Sequence, residues 1–470
     1  MKCFKVYYQD LVGRLDPIHL ATMPALKQRN ASYPSVKLGE LLKVPPQYGS
    51  NQVAINGNPL EDVRYIRITD IDEFGNIRND DWKTAERIEE KYLLRENDIL
   101  FARSGATAGK AFIYQGQHGK AIFAGYLIRF ILDSTRIKPL YLFYYTQSDR
   151  YGLWVKAIQR PSGQPNINSM EFKSLEIPLP PLTIQNQVVD IMQSAYQLKK
   201  QKEAEAQSLL DSIDEYVLGE LGVVTSQGDS RRCFVVWAKE LKGKRIDPKA
   251  YTAKPKAILE SISKSEYPIR TVKELVAEQI AGYWGEAPAL TETSENHILC
   301  NVIRNTDFDN NLNLNLENVA QRLLPIETYE RIKLKAGDLL LEKSGGSPAQ
   351  PVGRVALITK EQEGYAFSNF VQLLRIHKNE CLPEYLFTCL RTIYRLGYME
   401  YIQNQTTGIR NLIIEEFMSI PIPVPSDSSI QDRIASEALK RVQKAKSLQQ
   451  ETIDIIEKAK AEVEHLILGT

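Results

Sequence analysis

No apolar run in this chain approaches the ~18 residues that a membrane-spanning helix needs. The opening residues, MKCFKVYYQD, hold no uninterrupted apolar core of the kind that directs secretion. Cysteine is scarce: Cys3, Cys233, Cys300, Cys381 and Cys389 form no CxxC pair and, being five, no even disulfide framework. That usage predicts reduced, buried thiols and a cytoplasmic location, with no membrane partner. His19, His118, His297, His377 and His465 are scattered, without HExxH or a Cys/His cluster at metal spacing. GxSxG and GxGxxG are missing. Asn58-Pro59 lacks the second proline and aromatic that amino-methyltransferases set beside their target base. The paired acids Asp80-Asp81 and Glu89-Glu90 lie in polar stretches and read as solvated faces. The chain encodes no reaction, so the expectation is a non-enzyme without a cofactor or metal of its own.

One stretch imitates a nucleotide site. ARSGATAGKAF (102–112) follows the strand-like DILFA and ends its loop in Gly109-Lys110. A P-loop needs four residues between its first Gly and the Gly-Lys, then Ser or Thr for Mg²⁺. Here three residues separate Gly105 from Gly109, and Ala111 takes the hydroxyl's place.

What the chain does have is ordinary globular composition, with 43% hydrophobic and 25% charged residues in 470, enough for two or more domains. Net charge is only +1, but the blocks 1–180 and 231–425 are mildly basic and the short blocks 181–230 and 426–470 acidic. A basic face is compatible with that distribution.

Self-similarity is the informative feature. KCFKVYYQDLVGRLDP (2–17) returns as RCFVVWAKELKGKRIDP (232–248), and YPSVKLGELL (33–42) as YPIRTVKELV (267–276). RENDILFARSG (95–105) returns as KAGDLLLEKSG (335–345), AIFAGYLIRFI (121–131) as YAFSNFVQLLRI (365–376), and KPLYLFYY (138–145) as LPEYLFTC (382–389). SGQPNINSMEFKSLEIPLP (162–180) returns as TGIRNLIIEEFMSIPIPVP (407–425). Six blocks in one order make a duplicated module, with too long a period for a solenoid.

Each half predicts short strands such as VRYIRITDI (63–71), DILFA (98–102) and YLIRFIL (126–132), then a helix at 139–155 or 383–399. The fold class is therefore α+β: two homologous globular domains in tandem, each followed by a long helix. Proline-rich ends, IPLPPL and IPIPVP, stop the last strand of each half. Beyond them, Ile184, Val188, Ile191, Ala195, Leu198, Lys202, Ala206, Leu209, Ile213 and Val217 step by three or four residues. Ile430, Ile434, Ala438, Val442, Ala445, Leu448, Thr452, Ile455, Ala459, Val463 and Leu466 do the same. Such stripes predict two helices of about 35 residues pairing as a coiled coil, with Thr183 and Ser429 as N-caps. The alternative is that each helix packs on its own half. The expected divisions are 1–180, a helix over 181–222, 223–425 with a leading linker, and a helix over 426–470.

Two related basic lobes on a spacer suit a ligand with two sites at fixed separation, and double-stranded DNA is the obvious one. Arg103, Ser104 and Lys110 flank the loop of the first half; Lys343, Ser344 and Arg354 flank its counterpart. A second pair of loops carries Arg160, Gln164, Asn166 and Asn168 in one half and Asn404, Gln405, Arg410 and Asn411 in the other. Arg, Gln and Asn are the side chains able to contact guanine and adenine edges in bidentate fashion. Tyr141, Phe143, Tyr144, Tyr145, Tyr151 and Trp154 lie at helical spacing and are read as core. A duplicated-lobe, coiled-coil scaffold for protein partners, without DNA specificity, is the reading from another class.

With these residues together, the chain resembles the DNA-specificity subunit of type I restriction–modification enzymes over essentially its full length. The resemblance rests on Asp16-Pro17 and Asp247-Pro248, on the DILF…SG loops, and on IPLPPLTIQNQVV running into a long helix. The second copy, IPIPVPSDSSIQDRI, departs by lacking the double proline. The resemblance implies two target-recognition domains, each reading one half of a bipartite target, and an antiparallel coiled coil that sets half-site spacing. It implies as partners two modification subunits, which bind S-adenosylmethionine and methylate adenine, and restriction subunits that translocate and cleave DNA. The specificity subunit itself is implied to be non-catalytic.

Overall fold

The computed structural model describes residues 32–72, 75–78, 80–159, 165–224, 235–237, 253–288, 296–309, 313–346, 350–405 and 408–468. The two DP starts, Cys3, Cys233, His19, Arg160 and Gln164 lie outside the described residues. The chain divides into two units, one running up to Glu203 and resuming at Gln449, the other spanning Ala204–Leu448.

Both units are built on the same antiparallel four-stranded sheet. In the first the order is Gln47–Tyr48, Leu127–Phe130, Ile99–Ala102, Ala111–Ile113; in the second it is Val276–Ala281, Val371–Ile376, Leu339–Glu342, Val355–Leu357. ILFA and LLLE are the central strands and are buried throughout, which is why they lack alternation. A parallel pairing recurs beside the sheet, Arg64–Ile66 with Ala121–Phe123 and His297–Ile303 with Ala366–Phe367. The repeat extends to side chains: Asp98 meets Arg129 at 3.3 Å, and Asp338 meets Arg375 at 2.9 Å.

The proline segments do not stop before their strands. Glu176–Pro178 pairs with Ser35–Lys37, and Pro421–Pro423 with Ile269–Thr271. Each is half of a two-stranded sheet, where a missing N–H can be tolerated on the free edge. Tyr141 donates to Pro178 O at 2.6 Å and Tyr385 to Pro423 O at 2.5 Å, locking each segment to a helix that comes earlier in the same lobe. The helix expected at 139–155 is broken into Pro139–Tyr145 and Asp149–Ile158, because Ser148 restarts it as an N-cap accepting from Tyr151 N. Its counterpart runs unbroken from Pro383 to Arg395. Tyr141, Phe143, Tyr144, Tyr145 and Tyr151 are buried as expected, and Trp154 packs on Tyr151 and Phe172.

The long helices span Leu182–Glu220 and Ser428–Leu468, longer than expected. In the second unit Glu220 bridges Arg433 at 2.7 Å and Ser212 O accepts from Arg441 at 3.0 Å. Eight residues forward on one helix are eight back on the other, so the pair is antiparallel. In the first unit Lys202 bridges Glu451 at 2.9 Å. The helices do not each keep to one half: Val188, Met192 and Ala195 share a core with Ile456, Ala459 and Val463, while Ala206, Leu210 and Ile213 share another with Ile434, Ala438 and Ala445. Leu198 departs from the expected stripe, 42% exposed, because the face continues through Lys199 and Lys202 to Ala206. The caps also move. Thr183 lies inside a helix that already begins at Leu182, and Asp427 rather than Ser429 caps the second, its carboxylate accepting from Ser429 N at 2.8 Å.

Among the described residues no helix is long and apolar enough to cross a membrane. Cys381 and Cys389 are buried free thiols, and burial pushes the Cys389 thiol up to about 12.

Candidate nucleic-acid interface

In each unit the chain brings together two loops that are far apart in sequence. In the first, Ser104 bridges Asn166, Gly105 N donates to Pro165 O at 2.9 Å, and Ile167 N donates to Arg103 O at 2.8 Å. In the second, Ser344 and Gly345 pair with Asn411 and Arg410, and Leu412 N donates to Lys343 O at 2.8 Å. The Ser344 hydroxyl also donates to Asn411 Oδ1 at 2.7 Å. Asn404 and Gln405 pair with Asn411 and Arg410 across a hairpin. The Ser-Gly and Asn positions that the repeat preserves are thus one joint, made twice.

The named residues differ in what they present. Arg103 is half-buried with its guanidinium 5.0 Å from the Tyr48 ring centre, and Lys110, Lys343 and Arg410 are half-buried at their loops. Asn404 is exposed and Asn166 half-buried. Ser104 is buried. Asn168 is committed locally, its Oδ1 accepting from Met170 N and Glu171 N at 2.9 Å as the N-cap of Ser169–Lys173.

Arg354 is a correction to the expected symmetry. Ala102 N donates to Lys110 O at 2.8 Å and Glu342 N to Arg354 O at 2.8 Å, so Lys110 and Arg354 hold the same position. Yet Arg354 is 5% exposed. Its Nε and Nη2 donate to both oxygens of the fully buried Glu342, each at 2.8 Å, and its Nη1 to Phe308 O at 2.5 Å. Burial alone disfavours the charge, and Glu342 outweighs it, holding the guanidinium pKa above its ordinary value. Arg354 therefore braces its loop from beneath. The sequence signal was the acid at 342 where the first copy has Ala102, a small residue that offers Lys110 no counter-charge.

The nucleotide-site imitation fails on geometry as well. Gly105 N, Ala108 N, Gly109 N and Lys110 N donate to Pro165 O, Gly105 O, Ala102 O and Thr107 O, so these amides are not available to converge on a phosphate. Gly109 and its equivalent Gly353 have φ of +96° and +102°, and a Cβ at Gly109 would lie 2.7 Å from Val155 methyls. These glycines close the strand-to-loop turn against a helix.

Sequence reasoning missed the function of Gln185 and Gln431, although both stand at the same place in the long-helix starts. Gln185, fully buried, accepts from Lys138 N at 2.8 Å and donates to Pro180 O at 3.0 Å. Gln431 accepts from Leu382 N at 2.9 Å and donates to Pro425 O at 2.8 Å. Each glutamine joins lobe, proline segment and long helix in one contact.

A cleft also recurs between lobe and long helix. The first, about 1110 Å³, is lined by Phe143, Gln115, Tyr196 and Lys200 among others, and the second, about 360 Å³, by Phe387, Thr359, Val442 and Lys446, their repeat equivalents. Among the described residues no group of His, Cys, Asp and Glu is placed to hold a metal ion.

Residues 33–208 and 286–464 each match the type I restriction modification DNA specificity domain. The MjaVIII type I restriction enzyme specificity subunit of Methanocaldococcus jannaschii is 22% identical over 383 residues, covering 80% of this chain and 79% of that protein. The StySPI specificity subunit of Salmonella potsdam is 29% identical over 160 residues, 33% of this chain and 34% of that one. A solved S subunit from M. genitalium aligns with 94% of this chain and 97% of its own at 12% identity and a TM-score of 0.46. With both copies of its repeat matched over most of their length, the chain belongs to the type I restriction modification DNA specificity family.

Proposed function

We propose that this chain is the sequence-specific, non-catalytic DNA-binding subunit of a type I restriction–modification complex, each lobe reading one half of a bipartite duplex target. The observation that carries the reading is that the family match falls once on each copy of a module whose loop joint, Ser104 with Asn166 and Ser344 with Asn411, is itself duplicated. A scaffold without DNA specificity has no such match in its favour.

In this reading the lobes are residues 1–180 and 223–425, and the helices over 181–222 and 426–470 set half-site spacing. Arg103, Lys110 and Asn166 are assigned to one reading surface, with Arg160 and Gln164, outside the described residues, added on sequence alone; Lys343, Ser344, Asn404, Gln405, Arg410 and Asn411 are assigned to the other, and the buried Ser104, the capping Asn168 and Arg354 hold the loops from below. Lys110 and Lys343 are assigned to phosphates, which position the protein, and the Asn, Gln and Arg side chains of the second loops to base edges, which specify. The paired clefts support two modification subunits, which would supply S-adenosylmethionine and adenine methylation, with restriction subunits joining them. The chain needs no cofactor for its own part, and it would work on DNA in the cytoplasm.

The test is duplex binding by the chain with its modification subunits as salt is raised. Phosphate contacts give log K falling linearly with log salt, by about 0.9 per phosphate neutralised. Lys110→Ala should lower that slope by about one unit; a complex that binds no duplex at low salt would end the proposal.

A further inference from the structure

Loop tips in soluble proteins favour Gly, Asn, Asp and Ser; a single exposed apolar side chain is ordinary, but one that recurs at equivalent tips of a repeat is an exception to that turn chemistry. Both units make that exception at the same place. Leu127 N donates to Ala124 O at 2.9 Å, closing a β-turn with Gly125-Tyr126 at its tip; Val371 N donates to Ser368 O at 3.0 Å, closing one on Asn369-Phe370. Tyr126 is 60% exposed and Phe370 40%.

These tips are held by paired strands on both sides, and they are tied to the proposed reading loops. Each turn sits between two paired strands, Ala121–Phe123 and Leu127–Phe130 in the first unit, Ala366–Phe367 and Val371–Ile376 in the second. Arg103 N donates to Tyr126 O at 2.9 Å, and Lys343 N to Phe370 O at 3.0 Å. Ser344 N shares the Phe370 carbonyl at 3.2 Å. The backbone carrying each exposed ring is therefore bonded to the basic residue that opens the Ser-Gly loop. Packing within the unit leaves Tyr126 mostly in solvent and Phe370 partly so, and the two turns otherwise differ, Gly against Asn beside the ring.

We propose that Tyr126 and Phe370 are specificity-determining DNA contacts, one per lobe, each laying an aromatic ring against the bases of its own half-site. Apolar side chains read the thymine methyl in the major groove, or seat between base steps, and neither contact uses phosphate. The inference rests on the duplex-DNA reading above and adds to it residues that carry no charge and no hydrogen-bonding fork. It explains why a Tyr and a Phe can occupy equivalent places: the ring is what is shared, and the hydroxyl is dispensable.

The test uses the chain in complex with its modification subunits. The probe is a duplex carrying the target mapped from modified bases, with a scrambled duplex as control. Tyr126→Ala and Phe370→Ala are each expected to weaken target binding about tenfold, to leave the salt slope unchanged, and to leave scrambled-duplex binding within twofold. Tyr126→Phe should bind as the unaltered chain does, and Phe370→Gln, which keeps bulk without a ring, should weaken like alanine. Melting of the Tyr126 variants should match the parent because that ring is mostly exposed, and melting of the Phe370 variants, read alongside binding, separates any loss of packing from loss of contact. Target binding within twofold of the parent for either alanine variant would overturn the inference while leaving the DNA reading intact. A parent complex that does not prefer its target over the scrambled duplex would instead overturn the DNA reading.

Discussion

Glu342→Leu removes the carboxylate that neutralises Arg354 and leaves a guanidinium in a site only 5% exposed. Breaking one side of a buried ion pair costs about 3–5 kcal/mol, because the remaining charge is desolvated without compensation. Arg354→Met strands the fully buried Glu342 carboxylate instead, for a similar loss, and also takes a donor from Phe308 O and Asn305 O. The double variant removes both charges. What remains is chiefly the donor lost to Phe308 O, about 1–3 kcal/mol, since Asn305 O still accepts from Phe308 N. The double variant should therefore be more stable than either single variant, a coupling that a surface pair could not give. Hydrogen exchange at the amides of Leu339–Glu342 and Val355–Leu357 under increasing urea reports the second unit directly. A double variant that loses the sum of the two single losses would refute the argument. So would a properly folded double variant that loses duplex affinity with a salt slope reduced by one, since Arg354 would then be a phosphate contact after all.

The repeated glutamines give a second prediction. Gln185→Leu or Gln431→Leu leaves a buried backbone N–H and a carbonyl unpaired, at about 2–4 kcal/mol each, visible as a lowered urea midpoint; a change under 0.5 kcal/mol on that scale would contradict it. The Asp427 cap is a pH test. The Ser429 hydroxyl and N–H hold its carboxyl below the usual carboxylate range, so its stabilisation is present above the unfolded value near 4 and fades as pH falls through the lower folded one. Asp427→Asn should remove that part of the acid-induced loss of helix by circular dichroism, and an unchanged acid profile would count against the cap. The helices offer a length test, since each passes from one unit to the other, after Glu203 and after Leu448. Inserting four residues at both crossings adds about 6 Å, nearly two base-pair steps of about 3.4 Å. Methylation mapping should then find a longer spacer between half-sites, and an unchanged spacer would sink the ruler.

Where the chain repeats itself, the fold was legible before any coordinates. The α+β plan of each half, the buried aromatics of 141–151 and most of the apolar stripes follow from periodicity and from six matching blocks, whereas the order of strands in each sheet came only with the structure. Places where two residues share one environment were harder to read. Arg354 looked like Lys110 because backbone position is all that alignment compares, and burial was decided by residue 342 on the neighbouring strand. Leu198 looked like core because a step of three was as acceptable as a step of four until the helix face was fixed by Lys199 and Lys202. The strand running through Pro421 and Pro423 was hidden because proline counts against strand unless the edge is known to be free. That the Ser-Gly and Asn positions recur in both copies was legible; that they meet in one joint was not, since Ser104 and Asn166 stand far apart in the sequence, as do Ser344 and Asn411. The turn tips at Tyr126 and Phe370 were not, since an aromatic in an apolar segment is usually core.

The central claim is that two lobes read two half-sites independently, and exchanging one lobe tests it most directly. Residues 1–180 are replaced by the corresponding lobe of another family member, and the adenines modified in the host's DNA are mapped by sequencing. The account predicts that one half-site changes while the other half-site and the spacer between them stay as they were. A change in both half-sites would contradict it.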